Sequence, residues 1–212
     1  MRPVTDSDIQ RYAETHSSPE PDYLARINRN THAQVLSPRM LSGHFQGRFL
    51  SMISRMIAPK VVLEIGTYTG YSALCLAEGL APGGKVITID INEELEGRVR
   101  KNFDESPFAS SIELLIGDAR KIIPTLNIHP DLVFIDADKK GYAEYYDLML
   151  PRITSGGWML IDNVLWDGKV LDEKPDAKTR VMLEFNKKIA GDSRIEKVML
   201  PIRDGLTLLR KI

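Results

Sequence analysis

The pattern of apolar and polar positions divides the chain near residue 60. Before it, Phe45, Phe49, Leu50, Met52, Ile53, Met56 and Ile57 recur at three- and four-residue spacing and predict one buried helical face. Pro19 and Pro21 break the chain ahead of that helix. A short helix is expected before them, and another from Asp22 to about Gln34 after them. From Val61 the period changes. Short apolar runs begin near Val61, Val86, Ile112, Leu132 and Trp158. Most are too apolar to keep a wet face, as parallel strands covered on both sides are. The intervals hold one crossover helix each. Tyr142, Tyr145, Tyr146 and Met149 trace such a helix, and Val181, Met182, Phe185 and Ile189 nearly trace another. Two closing runs, about Arg194–Leu200 and Leu206–Arg210, flank an Asp204-Gly205 turn and read as an antiparallel hairpin.

The predicted fold is α/β: a Rossmann-like doubly wound sheet, mostly parallel, closed by a hairpin and preceded by helices. One domain is expected over residues 1–212, with a helical N-terminal lid over 1–60 and an α/β core over 61–212. Ligands of such sheets bind beyond the carboxyl ends of the strands.

Those ends carry the candidate chemistry. The first reads Glu64-Ile-Gly66-Thr67-Tyr68-Thr-Gly70-Tyr71-Ser72. Its glycines let the backbone turn sharply, and a following helix start offers amides to an anion. Tyr68 breaks the dinucleotide pattern GxGxxG, and Glu64 suits an ammonium better than a pyrophosphate. The turn is therefore either purely structural or the seat of an amino-acid moiety. Asp90 ends the second run, where an acid takes ribose hydroxyls or caps the next helix. Asp118 and Ala119 follow the third, as an adenine contact or as a turn and cap. The fourth and fifth runs end in Asp136-Ala-Asp138-Lys139-Lys140 and Asp162-Asn163. On neighbouring strands about 4.8 Å apart these oxygens converge, and close carboxylates call for a cation. All-oxygen donors suit Mg²⁺, Ca²⁺ or Mn²⁺ rather than a structural zinc. A lone strand-end Asp is otherwise a cap. Trp166, just beyond, either walls an aromatic substrate or packs the loop.

Composition narrows the classes. Lys and Arg number 28 against 29 Asp and Glu, a net charge of −1, which excludes the broad basic footprint of nucleic-acid binders. A single cysteine, Cys75, excludes an intramolecular disulfide and a cysteine metal cluster. No apolar run reaches the about 18 residues of a membrane span. Met1–Asp6 lack a signal-peptide core and a myristoylation glycine. A cytoplasmic protein acting on a small molecule is expected, with neither nucleic acid nor membrane as partner. The four histidines (His16, His32, His44, His129) show no metal-binding spacing, although His44 lies near Ser42.

Leu63–Ser72, Phe134–Lys139 and Ile161–Trp166, in this order and spacing, resemble the cation-dependent class I S-adenosylmethionine O-methyltransferases. The likeness is to caffeoyl-CoA O-methyltransferase and its bacterial relatives, and more distantly to catechol O-methyltransferase. It runs from the Ala13–Pro21 stretch to the closing hairpin. The resemblance implies a seven-stranded sheet with an antiparallel C-terminal strand, and often a homodimer. It implies S-adenosylmethionine held by Ser42, Glu64, Gly66, Thr67, Tyr68, Ser72, Asp90, Asp118, Ala119 and Asp138. It further implies a divalent cation on Asp136, Asp162 and Asn163, and Lys139 as catalytic base with Asp136 beside it. A catechol-like or phenolic substrate would meet Trp166 and Asp167. Two positions depart from the pattern. Asp167 stands where plant relatives carry Asn, and Thr207 where animal catechol enzymes carry Glu. An NAD-dependent oxidoreductase lacks GxGxxG here and has no use for Asp162-Asn163. A nucleic-acid methyltransferase lacks its Asn/Asp-Pro-Pro-Tyr/Phe motif after the fourth strand. A cofactor-binding scaffold that no longer reacts has no use for Lys139.

Overall fold

The computed structural model describes residues 7–212, so the reading of Met1–Asp6 lies outside it. Three helices come first: α1 (Ser7–Thr15), α2 (Asp22–Gln34) and α3 (Gly43–Ile57). The strands are β1 (Val61–Ile65), β2 (Lys85–Asp90), β3 (Ile112–Ile116), β4 (Leu132–Ile135), β5 (Trp158–Asp162), β6 (Ile195–Leu200) and β7 (Leu206–Lys211). Between them lie α4 (Tyr71–Ala77), α5 (Glu96–Asp104), α6 (Ala119–Ile122), α7 (Tyr142–Met149) and α8 (Ala177–Ala190). The seven strands form one sheet in the order β3-β2-β1-β4-β5-β7-β6. The first five in that order run parallel; β7 is antiparallel to β5 and to β6. The expected hairpin and doubly wound sheet are both present. The order reverses between β1 and β4, which opens a crevice at their carboxyl ends.

Strand residues alternate between two cores. Leu63, Ile87, Val133 and Ile161 pack with Tyr142, Tyr146 and Phe185 on one face. Val62, Val86, Phe134 and Leu160 pack with Leu24, Leu50, Tyr71 and Leu74 on the other. Burial on both faces explains why these runs carry almost no polar alternation. The helix stripe Tyr142, Tyr145, Tyr146, Met149 is wholly buried, as its spacing predicts.

The stripe predicted on α3 is corrected. Its buried face is Gln46, Gly47, Leu50, Ser51 and Ser54, while Met52 and Met56 are 56% and 76% exposed. The reason is close packing on α4. A Cβ on Gly47 would lie 2.6 Å from the Tyr71 ring, and Ser54 Oγ donates to the Leu76 carbonyl at 2.6 Å. Small side chains take the positions nearest α4, so Met52 and Met56 fall outside the face, while Leu50 is buried as expected and Phe49, Ile53 and Ile57 pack partly buried against the same core. Among the described residues no helix is long and apolar enough to cross a membrane.

Candidate active site

A cavity of about 1180 Å³ opens over the carboxyl ends of β1, β2, β4 and β5. Ser42, Gly66, Thr67, Tyr68, Ser72, Asp90, Asp118, Ala119, Asp136, Asp138, Lys139, Asp162, Asn163, Trp166 and Asp167 all line it. Of the residues expected to hold cofactor, cation or substrate, Glu64 is the one that does not line it. Among the described residues the non-glycine ones with positive φ are Ser37, Ala58, Tyr68, Asn163, Trp166, Asp167 and Arg203, and every one but Ala58 lines this cavity. Such backbone costs about 1–3 kcal/mol per residue and gathers where a site over-determines it.

The first strand end is a close crossing of two chains. Gly66 has φ +104°, and a Cβ there would meet the Asp136 carbonyl oxygen at 2.1 Å. The glycine is required because β4 ends directly against this turn. Behind it Glu64 is fully buried. Its Oε2 accepts from Thr88 Oγ1 at 2.5 Å, which leaves Thr88 Oγ1 to accept from Thr67 Oγ1. Its Oε1 is buried without a hydrogen-bond partner. Burial pushes this carboxyl up to about 8, while the neighbouring Ser72 and Thr88 hydroxyls pull the other way.

At the end of β2, Asp90 accepts from Tyr68 N at 2.7 Å and from Asn92 N at 2.8 Å. It therefore ties the two turns together. The Tyr68 hydroxyl reaches across the cavity to the Leu36 and Ser37 carbonyls. Asp118 caps α6 through Arg120 N and pairs with the Arg120 guanidinium, which lowers its pKa. Buried Ala119 lies beside it. Asp138 is likewise fixed, accepting from Gly141 N at 3.0 Å and Tyr145 Oη at 2.5 Å.

The acids after β4 and β5 surround an amine. Lys139 Nζ donates to Asp136 Oδ1 at 3.0 Å, to Tyr142 Oη at 2.7 Å and to Asn163 Oδ1. Tyr142 in turn donates to the Asp162 carbonyl at 3.0 Å. The expected meeting of three oxygen side chains on one point is only partly present. Asp136 and Asn163 converge on the amine, but Asp162 is held otherwise. Its Oδ1 accepts from Asn163 N at 2.8 Å and its Oδ2 from Gln46 Nε2 at 2.7 Å. Burial pushes the Asp162 carboxyl up, and Asp136 adds to that. Among the described residues no three His, Cys, Asp or Glu side chains form a metal cluster; the third donor here is the Asn163 carboxamide. The Lys139 amine already donates to two of the expected ligands, so those oxygens are turned toward one positively polarised group.

Four participants went unread in the sequence, among them Arg203, a turn residue that lines the cavity and donates to Gln46 Oε1. Tyr142 reads as one more member of an apolar stripe. Gln46 is a polar residue inside an apolar helix, the only signal it gives. Asp204, in the hairpin turn, lines the cavity and accepts from Asp167 N; its burial raises its pKa. His44 faces elsewhere, against the Ser18 carbonyl at 2.7 Å. Thr207 is buried in β7, pairs with Ile161 and does not line the cavity.

The O-methyltransferase family model matches residues 14–212. Caffeoyl-CoA O-methyltransferase 1 of Nicotiana tabacum is 37% identical over 181 residues, covering 79% of this chain and 75% of the relative. Among solved structures, an S-adenosylhomocysteine-bound methyltransferase of Podospora anserina aligns with a TM-score of 0.90 at 27% identity, covering 100% of this chain and 98% of that one. The O-methyltransferase TomG of Streptomyces achromogenes, involved in tomaymycin synthesis and solved with S-adenosylmethionine, aligns with a TM-score of 0.86 at 28% identity, covering 96% of each.

Proposed function

The chain belongs to the O-methyltransferase family, as an S-adenosylmethionine-dependent enzyme of the caffeoyl-CoA type, and on that premise we propose that it methylates one hydroxyl of a catechol-like phenol with the help of a divalent cation. The observation that carries the cation is the Lys139 amine lodged between Asp136 Oδ1 and Asn163 Oδ1, inside the cavity that Gly66 and Asp90 line. S-adenosylmethionine supplies the methyl group on a sulfonium, and a divalent cation, when bound, lowers the pKa of a coordinated hydroxyl.

The chain's own residues divide the rest. Glu64 holds the cofactor's ammonium: its buried Oε1 has no hydrogen-bond partner within the chain, and an ammonium would supply one. Ser42, Ser72 and the Gly66–Tyr68 turn hold the remainder of the methionine portion. Asp90 takes the ribose hydroxyls with the carboxylate that already fixes the turn, and Asp118, Ala119 and Asp138 bound the adenosine side. Asp136, Asp162 and Asn163 hold Mg²⁺, Ca²⁺ or Mn²⁺. Lys139 Nζ accepts the hydroxyl proton, and Tyr142 Oη keeps that amine in place. Trp166 and Asp167 wall the phenol. Their strained backbone fixes the rim of the pocket.

The helices before residue 61 serve as a lid on this site within one domain. Two copies of the chain pair through the apolar surface that α3 leaves open. A groove of about 650 Å³ between the C-terminal end of α3 and the start of β5, lined by Met56, Ile57, Trp158 and the β7 residue Leu208, supports that pairing. A panel of vicinal diphenols with S-adenosylmethionine and Mg²⁺, followed by S-adenosylhomocysteine release, tests the function. Turnover of at least one diphenol and none of the matching monophenol ethers is expected. Equal turnover of both would sink the chelated-substrate reading.

A further inference from the structure

Asp162 is buried, and its orientation is set from the opposite end of the sequence. Gln46, on α3 in the N-terminal helical region, is 1% exposed and donates through Nε2 to Asp162 Oδ2 at 2.7 Å. Its Oε1 accepts from Arg203 Nη1 at 2.9 Å. Arg203 stands in the turn between β6 and β7 with φ +50°. The same Nη1 donates to the Leu41 carbonyl at 2.9 Å and to the Ser42 carbonyl.

The chemistry of these groups leaves one arrangement. A carboxamide can point either end toward a given neighbour, but a guanidinium only donates and a carboxylate only accepts. Arg203 therefore forces the Gln46 carbonyl toward itself, and the Gln46 NH₂ is left facing Asp162. Asn163 N fixes the other oxygen of the same carboxylate. Rotation of that carboxylate would break a buried hydrogen bond at each end, and a buried unpaired group costs about 1–3 kcal/mol.

We propose that Gln46 and Arg203 are positioning residues for the cation site: Arg203 sets the Gln46 amide, and Gln46 sets the Asp162 carboxylate, so that the site is complete only while the Leu41–Ser42 segment is docked. The proposal rests on the cation reading above and adds two residues outside the expected ligand set: Gln46, which does not line the cavity, and Arg203, which lines its rim. Ser42 also lines the cofactor cavity. The relay thus links the cofactor side of the pocket to the strand end that bears Asp162.

The test is Mn²⁺ affinity, followed by the electron paramagnetic resonance of free Mn²⁺, in wild type, Gln46→Met, Arg203→Met and the double variant. Groups that orient a metal ligand are worth about 10- to 100-fold in affinity. Each single variant is expected to lose about that much. The double variant should lose no more than the worse single one, because one relay is broken only once. Arg203→Lys, which keeps a donor at the Gln46 carbonyl, should regain part of the loss. Purely structural damage would instead add in the double variant and lower its melting temperature stepwise. Wild-type protein that binds Mn²⁺ with unchanged affinity in Gln46→Met overturns this inference alone. Additive losses overturn it as well. Wild-type protein that binds no Mn²⁺ overturns the cation reading, and the relay with it.

Discussion

Lys139 Nζ lies 3.0 Å from Asp136 Oδ1, and the two residues are one turn apart on the loop that follows β4. Both side chains are about one-fifth exposed, so the pair is shielded from bulk water without being sealed from it. The proposed base must reach its proton and yet be held in place, and Tyr142 and Asn163 supply the holding. Lys139→Met keeps the length of the side chain and removes the amine. Its turnover should fall about 10²- to 10⁴-fold, the range of a general base. S-adenosylhomocysteine affinity by calorimetry should stay within about threefold. Full turnover in this variant would assign the base elsewhere.

Glu64 gives a pH signature. Burial raises its carboxyl from 4.5 to about 8. Between those values the folded protein holds a proton that the unfolded chain has lost, so the ligand-free protein loses stability as pH climbs from about 4.5 to about 8. Glu64→Gln cannot ionise. The melting temperature of Glu64→Gln minus that of wild type should therefore rise across this window and level off above it. Cofactor binding runs the other way, because an ammonium favours the ionised carboxyl. S-adenosylhomocysteine should bind wild type more tightly as pH rises toward 8, and bind Glu64→Gln about 10-fold more weakly at pH 8. Parallel pH curves for the two proteins would contradict the ammonium role.

Gly66 tests the crossing of the first and fourth strand ends. Gly66→Ala places a methyl group where the Asp136 carbonyl stands and holds a φ of +104° that L residues avoid. The strained backbone alone costs about 1–3 kcal/mol, to which the collision adds. A clearly lower denaturation midpoint is expected, together with loss of cofactor binding. Wild-type stability in this variant would mean that the turn relaxes freely.

Much of this fold is legible in the sequence because its signals are local. A strand buried on both faces announces itself by a short unbroken apolar run, as the four residues Leu132–Ile135 do, and an acid just beyond announces a strand end. The site's other half is not local. Gln46 meets Asp162 across 116 positions of sequence, and Arg203 meets Gln46 across 157. Nothing in the neighbourhood of a lone glutamine or a turn arginine encodes such a partner. The α3 stripe misled for a related reason. Spacing reports which residues share a face, but the small Gly47, Ser51 and Ser54 claimed the buried one because α4 packs too close for methionine.

The methionines displaced from that face provide a further prediction. Met52 and Met56 stand exposed on α3, next to the groove formed with Trp158 and Leu208. Light scattering should give twice the chain mass for wild type. Met56→Glu should shift the protein toward monomer while leaving its circular dichroism unchanged. A wild-type monomer at about 100 µM would remove the pairing.

The central claim is that methyl transfer here depends on a cation held by Asp136, Asp162 and Asn163. The most direct measurement is S-adenosylhomocysteine release from S-adenosylmethionine and a turned-over vicinal diphenol, before and after exhaustive treatment with EDTA. Turnover should fall by at least about 100-fold with EDTA and return on addition of excess Mg²⁺, but not return in Asp162→Ala. Undiminished turnover in EDTA, at a concentration that strips Mn²⁺ from the protein, would contradict it.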